Sequence, residues 1–382
     1  MDKDIQPFVI YETLVEDHRS DNLRAGEGCI VSLSDDSLLH LCTRFKGPRD
    51  EAPTALMACR STDGGVRWTP PDVFRHSPED CLNIMSVSML PLQDGRLAGV
   101  YLYKKSTEEC RPVFMTSSDN GCAWTEPVHI IDRPGYYVVN NDRLVQLSGG
   151  RLLVPYAWRN PAMPSPWNVF CGCAISDEAG ATWHLGQQEL QIESDHVRQP
   201  KLMDDTRPDV TKDVREGRVA CQEPGVIELL DGRVLMWCRT PGGYAYRAVS
   251  EDRGETWSPF KPLPEFAMPC GPQSIKRLPG SNRLIMLFND REGVPYGHPQ
   301  FHWRRPLTVA VSDDDAQTWQ RHGLLEADTV PSNCYYSICF HHSNVVFAYY
   351  EGVMETKPNG LFAPRNLASL KLKIVSQHYF AS

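Results

Sequence analysis

Arg24, Glu27, Asp50, Asn141, Asp142, Glu223, Arg239, Arg304 and the pair Tyr335-Tyr336 are scattered over 313 positions of the chain, yet their chemistries suit one another. Guanidinium groups grip carboxylates in bidentate pairs, so an arginine-rich set suits an anionic ligand. Carboxyl groups beside such a ligand can move protons. Whether these residues meet depends on the elements that carry them.

Those elements repeat. Five segments share the form Ser-x-Asp-x-Gly-x-x-Trp: Ser61 to Trp68, Ser117 to Trp124, Ser176 to Trp183, Ser250 to Trp257 and Ser312 to Trp319. The third carries Glu178 for the Asp, and the fifth carries Ala316 for the Gly. Their spacings are 56, 59, 74 and 62 residues. Six tight-turn signals alternate with these boxes, at Asp35-Asp36-Ser37, Asp94-Gly95, Gly149-Gly150, Asp231-Gly232, Ser281-Asn282 and Ser343-Asn344. Short apolar or alternating runs flank every turn, and 27 Gly and 30 Pro break up any long helical period. The pattern predicts an all-β protein of six four-stranded units, a six-bladed β-propeller with Asp-box turns. In each unit a hairpin joins the first two strands and a box turns the third into the fourth. The sixth unit lacks a box, so its outer strand is expected from a terminus, either Phe8–Leu14 or the alternating run Leu370–Val375. The box is a folding device: its Asp and Ser accept turn amides, its Gly allows positive φ, and its Trp packs between blades.

Antiparallel order sorts the loops. Starts of first strands and ends of second strands share one face, while hairpins and boxes lie on the other. On the first face fall Arg24, Glu27, Asn83, Asn141, Asp142, Glu223, Gln273, Tyr335-Tyr336, and also Arg44, Lys104, Arg159, Arg239, Asn289 to Arg291 and Glu351. Asp50 follows in the loop after the first unit's second strand, and Arg304-Arg305 open the fifth unit's third strand. The pair His341-His342 adjoins a turn on the opposite face.

Composition bounds the partners. With 382 residues, 41% hydrophobic, 23% charged and a net charge of −9, the chain reads as an ordinary globular protein. The acidic balance excludes a general nucleic-acid binder, which needs a basic face, but not an anionic small ligand held by local arginines. No apolar run approaches a membrane span. The N-terminal residues show no basic region followed by an apolar stretch, so no signal peptide is expected and a cytoplasmic location is the default. Thirteen scattered cysteines point to reduced thiols, and Cys171 and Cys173, on one face of a strand, read as core rather than metal ligands. Residues 1–382 are read as one propeller domain with a surface insertion at 184–220, whose polar stretch from Arg198 to Glu216 suggests a loop or lid. The oligomeric state is left open.

Asp boxes on a six-bladed propeller, with Arg, Asp, Glu, Arg, Arg and Tyr in that order on one face, resemble the sialidase (neuraminidase) superfamily along nearly the whole chain. The resemblance implies an exo-α-sialidase-like glycoside hydrolase that removes terminal sialic acid from glycans. It implies an arginine triad for the substrate carboxylate: Arg24, although in an Arg-Ala-Gly-Glu rather than Arg-Ile-Pro setting, then Arg239, then Arg304 with Arg305 as the alternative. It implies Asp50, 26 residues after Arg24, as acid/base, and Glu223, ahead of the strand–turn–strand ending at Arg239, as base. Tyr336, in Tyr336-Ser337-Ile338-Cys339, matches the family's nucleophile, with Tyr335 ranked behind it. A tyrosine is neutral at rest, unlike a carboxylate facing an anionic sugar, and sialidases are known exceptions to the two-carboxylate rule. The expected outcome is retention, with no metal or cofactor and an acidic glycan or small sialoside as partner. Glu27, Asn141 and Asp142 are assigned to substrate binding, with Asp142 and Glu27 also candidate acids for another reaction. Two competitors stay open: a propeller glycosidase or lyase acting on uronic-acid glycans, and a non-catalytic glycan-binding propeller.

Overall fold

A computed structural model describes residues 9–16, 24–159, 169–193, 218–296, 298–328, 332–356 and 362–380. The polar insertion segment from Arg198 to Glu216 lies outside them. The described strands form six blades around an axis. Blade 1 runs Arg24–Ser32, Leu38–Phe45, Thr54–Ser61, Asp72–His76 from axis to rim, and blade 2 runs Asn83–Pro91, Leu97–Lys104, Cys110–Ser117, Val128–His129. In blade 3 the inner strand is broken into Tyr136–Val138 and Val145–Gln146, followed by Leu152–Arg159, Val169–Ser176 and His184–Leu185. Blades 4 and 5 are Gln222–Glu228 to Lys261–Ala267 and Ser274–Arg277 to Gln320–Glu326.

Blade 6 uses both terminal candidates. Ser332–His341 and Asn344–Thr356 are its inner strands, Phe362–Ser376 is its third, and Val9–Glu16 is its fourth, paired from Val9 with Val375 to Glu16 with Leu370. Alternation in the third strand sends Leu370, Leu372 and Ile374 into apolar clusters. The other face carries Lys371 and Lys373, which are buried against Glu12 and Glu326 at 2.6–3.1 Å. The insertion is shorter than expected: His184–Leu185 is the outer strand of blade 3, Leu190 bridges to Cys171, and Ile192, Val219 and Ala220 sit in the core. Cys171 and Cys173 are fully buried beside them.

The boxes fold as their residue types require. In the first, Ser61 Oγ donates to Asp63 (2.9 Å) and accepts from the Gly65 amide (2.9 Å), Asp63 accepts from the Arg67 amide (2.8 Å), and the Trp68 indole closes on the Gly65 carbonyl (2.8 Å). Glu178 in the third box keeps the Ser176–Gly180 bond (2.9 Å). Its Gly180 has a φ of 92°, and a Cβ there would lie 2.2 Å from the Phe114 ring of blade 2. The box tryptophans pack as wedges between blades, Trp124 edge-on to Phe74 and Trp183 edge-on to Phe114.

The blades are tied at the axis by Asn140–Arg143, the segment that interrupts blade 3. The Asp142 amide donates to Val87 O of blade 2 (3.2 Å). The Asp142 carboxylate accepts from Lys276 of blade 5 (2.7 Å), the Ile338 amide of blade 6 (3.0 Å) and the Cys29 thiol of blade 1 (3.5 Å). Burial disfavours the Lys276 ammonium, but Asp142 and the neighbouring thiols outweigh it and raise its pKa. Arg143 donates to Ser274 Oγ (3.0 Å) and Gln273 O (2.7 Å) of blade 5 and lies over Trp237 of blade 4. Asn141 Nδ2 donates to Gly28 O (2.7 Å) and Tyr335 O (3.1 Å).

Removing one partner from a buried, hydrogen-bonded pair strands the other. Asp142→Ala is expected to lose about 3 kcal/mol, the low end of that range because Lys276 keeps some water. The shift in urea midpoint measures it. A second expectation concerns acid. Burial alone pulls fully buried His40 down to about 3, so the unfolded chain binds a proton there below its ordinary value of 6.5 while the native state does not. Stability from His40 is therefore complete above pH 6.5 and falls as pH drops toward 3, by about 1.4 kcal/mol per pH unit. His40→Gln should flatten that part of the stability–pH curve, read by denaturant melts between pH 4 and pH 7.

Candidate active site

The central funnel opens on the expected face into a cavity of about 420 Å³. Its polar lining comes from Arg24, Glu27, Asp50, Ser86, Tyr136, Asn140, Arg159, Gln222, Glu223, Arg239, Arg304, Tyr335 and Tyr350. A repeated backbone device aims several of these. Four inner strands carry a bulge that holds a residue of positive φ, Glu27 (52°), Ser86 (60°), Glu223 (46°) and Tyr335 (58°), while Asp142 (56°) sits in the break of blade 3's inner strand. A bulge sets two residues against one and breaks the in–out alternation. All four bulge residues line the cavity, and Asp142 does not.

That device decides between the tyrosines. Tyr335 points into the cavity, its hydroxyl 3.3 Å from both Glu223 Oε1 and Arg239 Nη1. Tyr336, expected in this place, turns the other way into the core between blades 5 and 6, where its hydroxyl bonds Asn289 Oδ1 (2.8 Å) and Asn333 O (3.0 Å). Asn141 and Asp142 are likewise not lining residues, because their side chains are spent on the axial ties, and Asn140 faces the cavity instead. Asn140 Nδ2 is buried with no partner.

Arg24, Glu27, Asp50, Glu223, Arg239 and Arg304 are brought together. Arg239 Nη1 donates to Glu223 Oε1 (2.5 Å). Arg304 bonds Cys270 O (3.1 Å) and the Tyr350 hydroxyl (3.2 Å) and lies 5.8 Å from the Tyr335 ring centre. Arg305 stacks on Trp303 and faces Asp328 (3.7 Å), outside the cavity lining. Arg24 rests on the Phe45 ring (3.6 Å) and pairs with Asp50 (2.7 Å), with Glu27 at 3.8 Å. Glu27 accepts from Ser86 Oγ (2.6 Å). Tyr350, which motif spacing did not single out, packs at 5.2 Å from Tyr335, and a Cβ on Gly26 would crowd its ring at 3.0 Å.

Electrostatics follow from burial and partners. Burial, then the Glu223 charge, holds the Tyr335 phenol well above its ordinary value, with Arg239 and Arg304 pulling the other way. Burial raises Glu27, Arg24 opposes this, and the charge of Asp50 adds to it, leaving the carboxyl above its usual range. Arg239 is held well above its ordinary value, because Glu223 and its other partners outweigh the largest single effect, burial. Tyr335 is thus a neutral phenol with a carboxylate in reach, and its proton must leave as any bond to its oxygen forms. Asp50 is different: its side chain is 60% exposed, yet its carbonyl is pinned by Asn83 Nδ2 (2.6 Å) and Lys104 Nζ (3.1 Å) from blade 2. A reachable carboxyl on a fixed backbone suits proton transfer to a bound group.

The family model described as BNR repeat-like domain matches residues 40–349. The sialidase of Micromonospora viridifaciens is 24% identical over 303 residues, covering 70% of this chain, which spans 40% of that relative's length. Among solved structures, the Hadza microbial sialidase superposes with a TM-score of 0.69 at 15% identity, over 96% of this chain and 69% of that one. The Trypanosoma rangeli sialidase, in complex with the inhibitor DANA, also gives 0.69, at 13% identity, over 98% and 61% of the two chains.

Asn83 holds the Asp50 loop through two carbonyls, Asp50 O and Ala52 O (2.9 Å). Asn83→Leu should cost about 1–3 kcal/mol by leaving these acceptors unpaired. Hydrogen exchange should show faster opening across residues 46–54 while amides of blades 4 and 5 keep their protection.

Proposed function

The chain belongs to the BNR repeat-like family of the sialidase superfamily, and from that footing we propose that it is a retaining exo-α-sialidase-like glycoside hydrolase. The observation that carries the reading is the Tyr335 hydroxyl, within 3.3 Å of Glu223 and Arg239 in a cavity walled by Arg24 and Arg304. A sialoside bears a carboxylate on its anomeric carbon, so the transition state develops positive charge beside a fixed anion. Arg24, Arg239 and Arg304 hold that carboxylate and orient the ring, each charge-assisted bond contributing about 1.5–3 kcal/mol. Glu223 takes the phenolic proton as Tyr335 Oη attacks the anomeric carbon, and Asp50 protonates the departing glycosidic oxygen. Asp50 then deprotonates water, which displaces Tyr335, and the proton on Glu223 returns to the phenol. Two displacements give retention.

The ion pair of Asp50 with Arg24 couples two of these roles. Protonated Asp50 has no charge for Arg24, so loading the acid and freeing the arginine for substrate carboxylate go together. Glu27 supports a second reading. It is a buried carboxyl held above its usual range in the same cavity, which suits a general acid in a glycosidase or lyase on uronic-acid glycans.

The test is fluorophore release from an aryl α-sialoside by wild type, Tyr335→Phe and Tyr336→Phe. Tyr335→Phe is expected to lower kcat by roughly 10²–10⁴-fold, a scale set by other positioned catalytic groups. Tyr336→Phe should keep kcat within a few-fold and lose about 1 kcal/mol of stability with its buried hydrogen bond. Absence of turnover on any sialoside, together with an ultraviolet-absorbing unsaturated product from a uronic-acid glycan, would transfer the site to the second reading.

A further inference from the structure

On the face opposite the cavity, two hairpins meet where the ring closes. The first hairpin of blade 1 presents Asp36, and that of blade 6 presents His341 and His342. One ligand atom from each of these three residues lies within 4.8 Å of the other two. His342 Nε2 is 2.9 Å from Asp36 Oδ1. We propose that Asp36, His341 and His342 form a zinc site that fastens blade 6 to blade 1.

Sequence adjacency does not explain the convergence. Neighbouring residues on a strand point to opposite faces, yet the two imidazoles lie with centroids 4.2 Å apart. They share a side because His342 is a turn residue with a φ of 51°, a conformation in which a non-glycine residue is disfavoured. Asp36, with a φ of 68°, is held the same way in its own turn. The donor set, two imidazole nitrogens and one carboxylate oxygen, is one that zinc takes in tetrahedral geometry with water in the fourth place. Hard ions such as calcium or magnesium prefer all-oxygen shells.

The surroundings prepare the first ligand and leave the others free to adjust. His341 is 4% exposed, and its Nδ1 lies 2.9 Å from Ser32 Oγ of blade 1. That contact fixes the ring and leaves Nε2 to ligate, the usual arrangement around a metal-bound imidazole. Ligands about 2.1 Å from zinc stand about 3.4 Å from one another in a tetrahedron, so separations of up to 4.8 Å must close toward that value while the 2.9 Å Asp36–His342 contact opens slightly. The side chains of Asp36 and His342 are 70% and 60% exposed and can supply that movement by rotation. Asp35 next door is engaged with the Ser37 amide and hydroxyl (3.1 and 2.6 Å) and stays out of the shell. A metal here spans Asp36 to His342 across the seam that the terminal strand also closes.

The experiment uses the untagged full chain, stripped with chelator, re-equilibrated with zinc, desalted and assayed for metal content. One zinc per chain is expected for wild type and for Cys122→Ser, which removes an exposed thiol, and none for Asp36→Ala or His342→Ala. Cobalt in place of zinc should give the intense visible bands of a four-coordinate site. Zinc should raise Tm by a few degrees in wild type and not in the two ligand variants. Ser32→Ala should weaken zinc binding by roughly tenfold to a hundredfold. Wild type that retains no zinc, or Asp36→Ala and His342→Ala that retain as much as wild type, overturns the proposal. Both variants alter exposed turn residues, and a native circular dichroism spectrum checks their fold.

Discussion

The axial contact made by Asp142 is the constraint from which the rest of the ring takes its geometry. A propeller blade is held to its neighbours chiefly by apolar packing, which is non-directional and tolerates small rotations. Asp142 and its neighbours Asn141 and Arg143 add direction: ties from one broken strand reach blades 1, 2, 4, 5 and 6. The price is burial of charge, which is tolerable because the carboxylate accepts three hydrogen bonds and its partner ammonium sits in register. Residues above this hub inherit its precision. Asn141 holds the carbonyls of Gly28 and Tyr335, each beside or within a bulge that aims a cavity residue.

The bulges convert six-fold repetition into an asymmetric site. Four blades deliver a bulge residue of the inner strand to the cavity, and the side chain differs: a carboxylate from blades 1 and 4, a hydroxyl from blade 2, a phenol from blade 6. Arginines arrive from other positions, from the start of a first strand (Arg24), the end of a second (Arg239) and the loop before a third (Arg304). Glu223 beside Arg239 and Asp50 beside Arg24 set opposite charges together, Arg304 is held by Cys270 O and the Tyr350 hydroxyl, and Glu223 Oε2 and Asn140 Nδ2 are buried without a partner.

Much of this was legible in the chain. The Ser-x-Asp-x-Gly-x-x-Trp boxes name their own hydrogen bonds, and their alternation with hairpin turns counts the blades and sorts the faces. Arg24, Asp50, Glu223, Arg239 and Arg304 follow from that sorting together with family resemblance. The tyrosine does not. Tyr335 and Tyr336 have the same type, and only the left-handed φ at Tyr335 sends one to the cavity and the other to the core. A left-handed non-glycine residue leaves no compositional mark. Asn141 and Asp142 fail for a related reason: they lie on the correct face, but blade 3 breaks there and carries them inward to the axis. The repeat itself held the missing signal, since aligning the inner strands would have placed Tyr335 with Glu27 and Glu223.

Closure of the ring by Val9–Glu16 on Phe362–Ser376 also sets an order in time. Val9–Glu16 must wait for Phe362–Ser376, which is made much later. At ribosomal rates of roughly 5–20 residues per second, about 360 intervening residues delay that pairing by about 20–70 s. Blades 1 to 5 can assemble as they emerge, each by short hairpins, while the N-terminal strand stays without its partner. During that interval the chain carries an unpaired strand, the kind of edge through which nascent chains pair with the wrong neighbour. Glu12 puts a negative charge on that strand, and the lysines that neutralise it arrive only with Phe362–Ser376. The same charge that later locks the ring disfavours pairing of the waiting strand with a wrong neighbour.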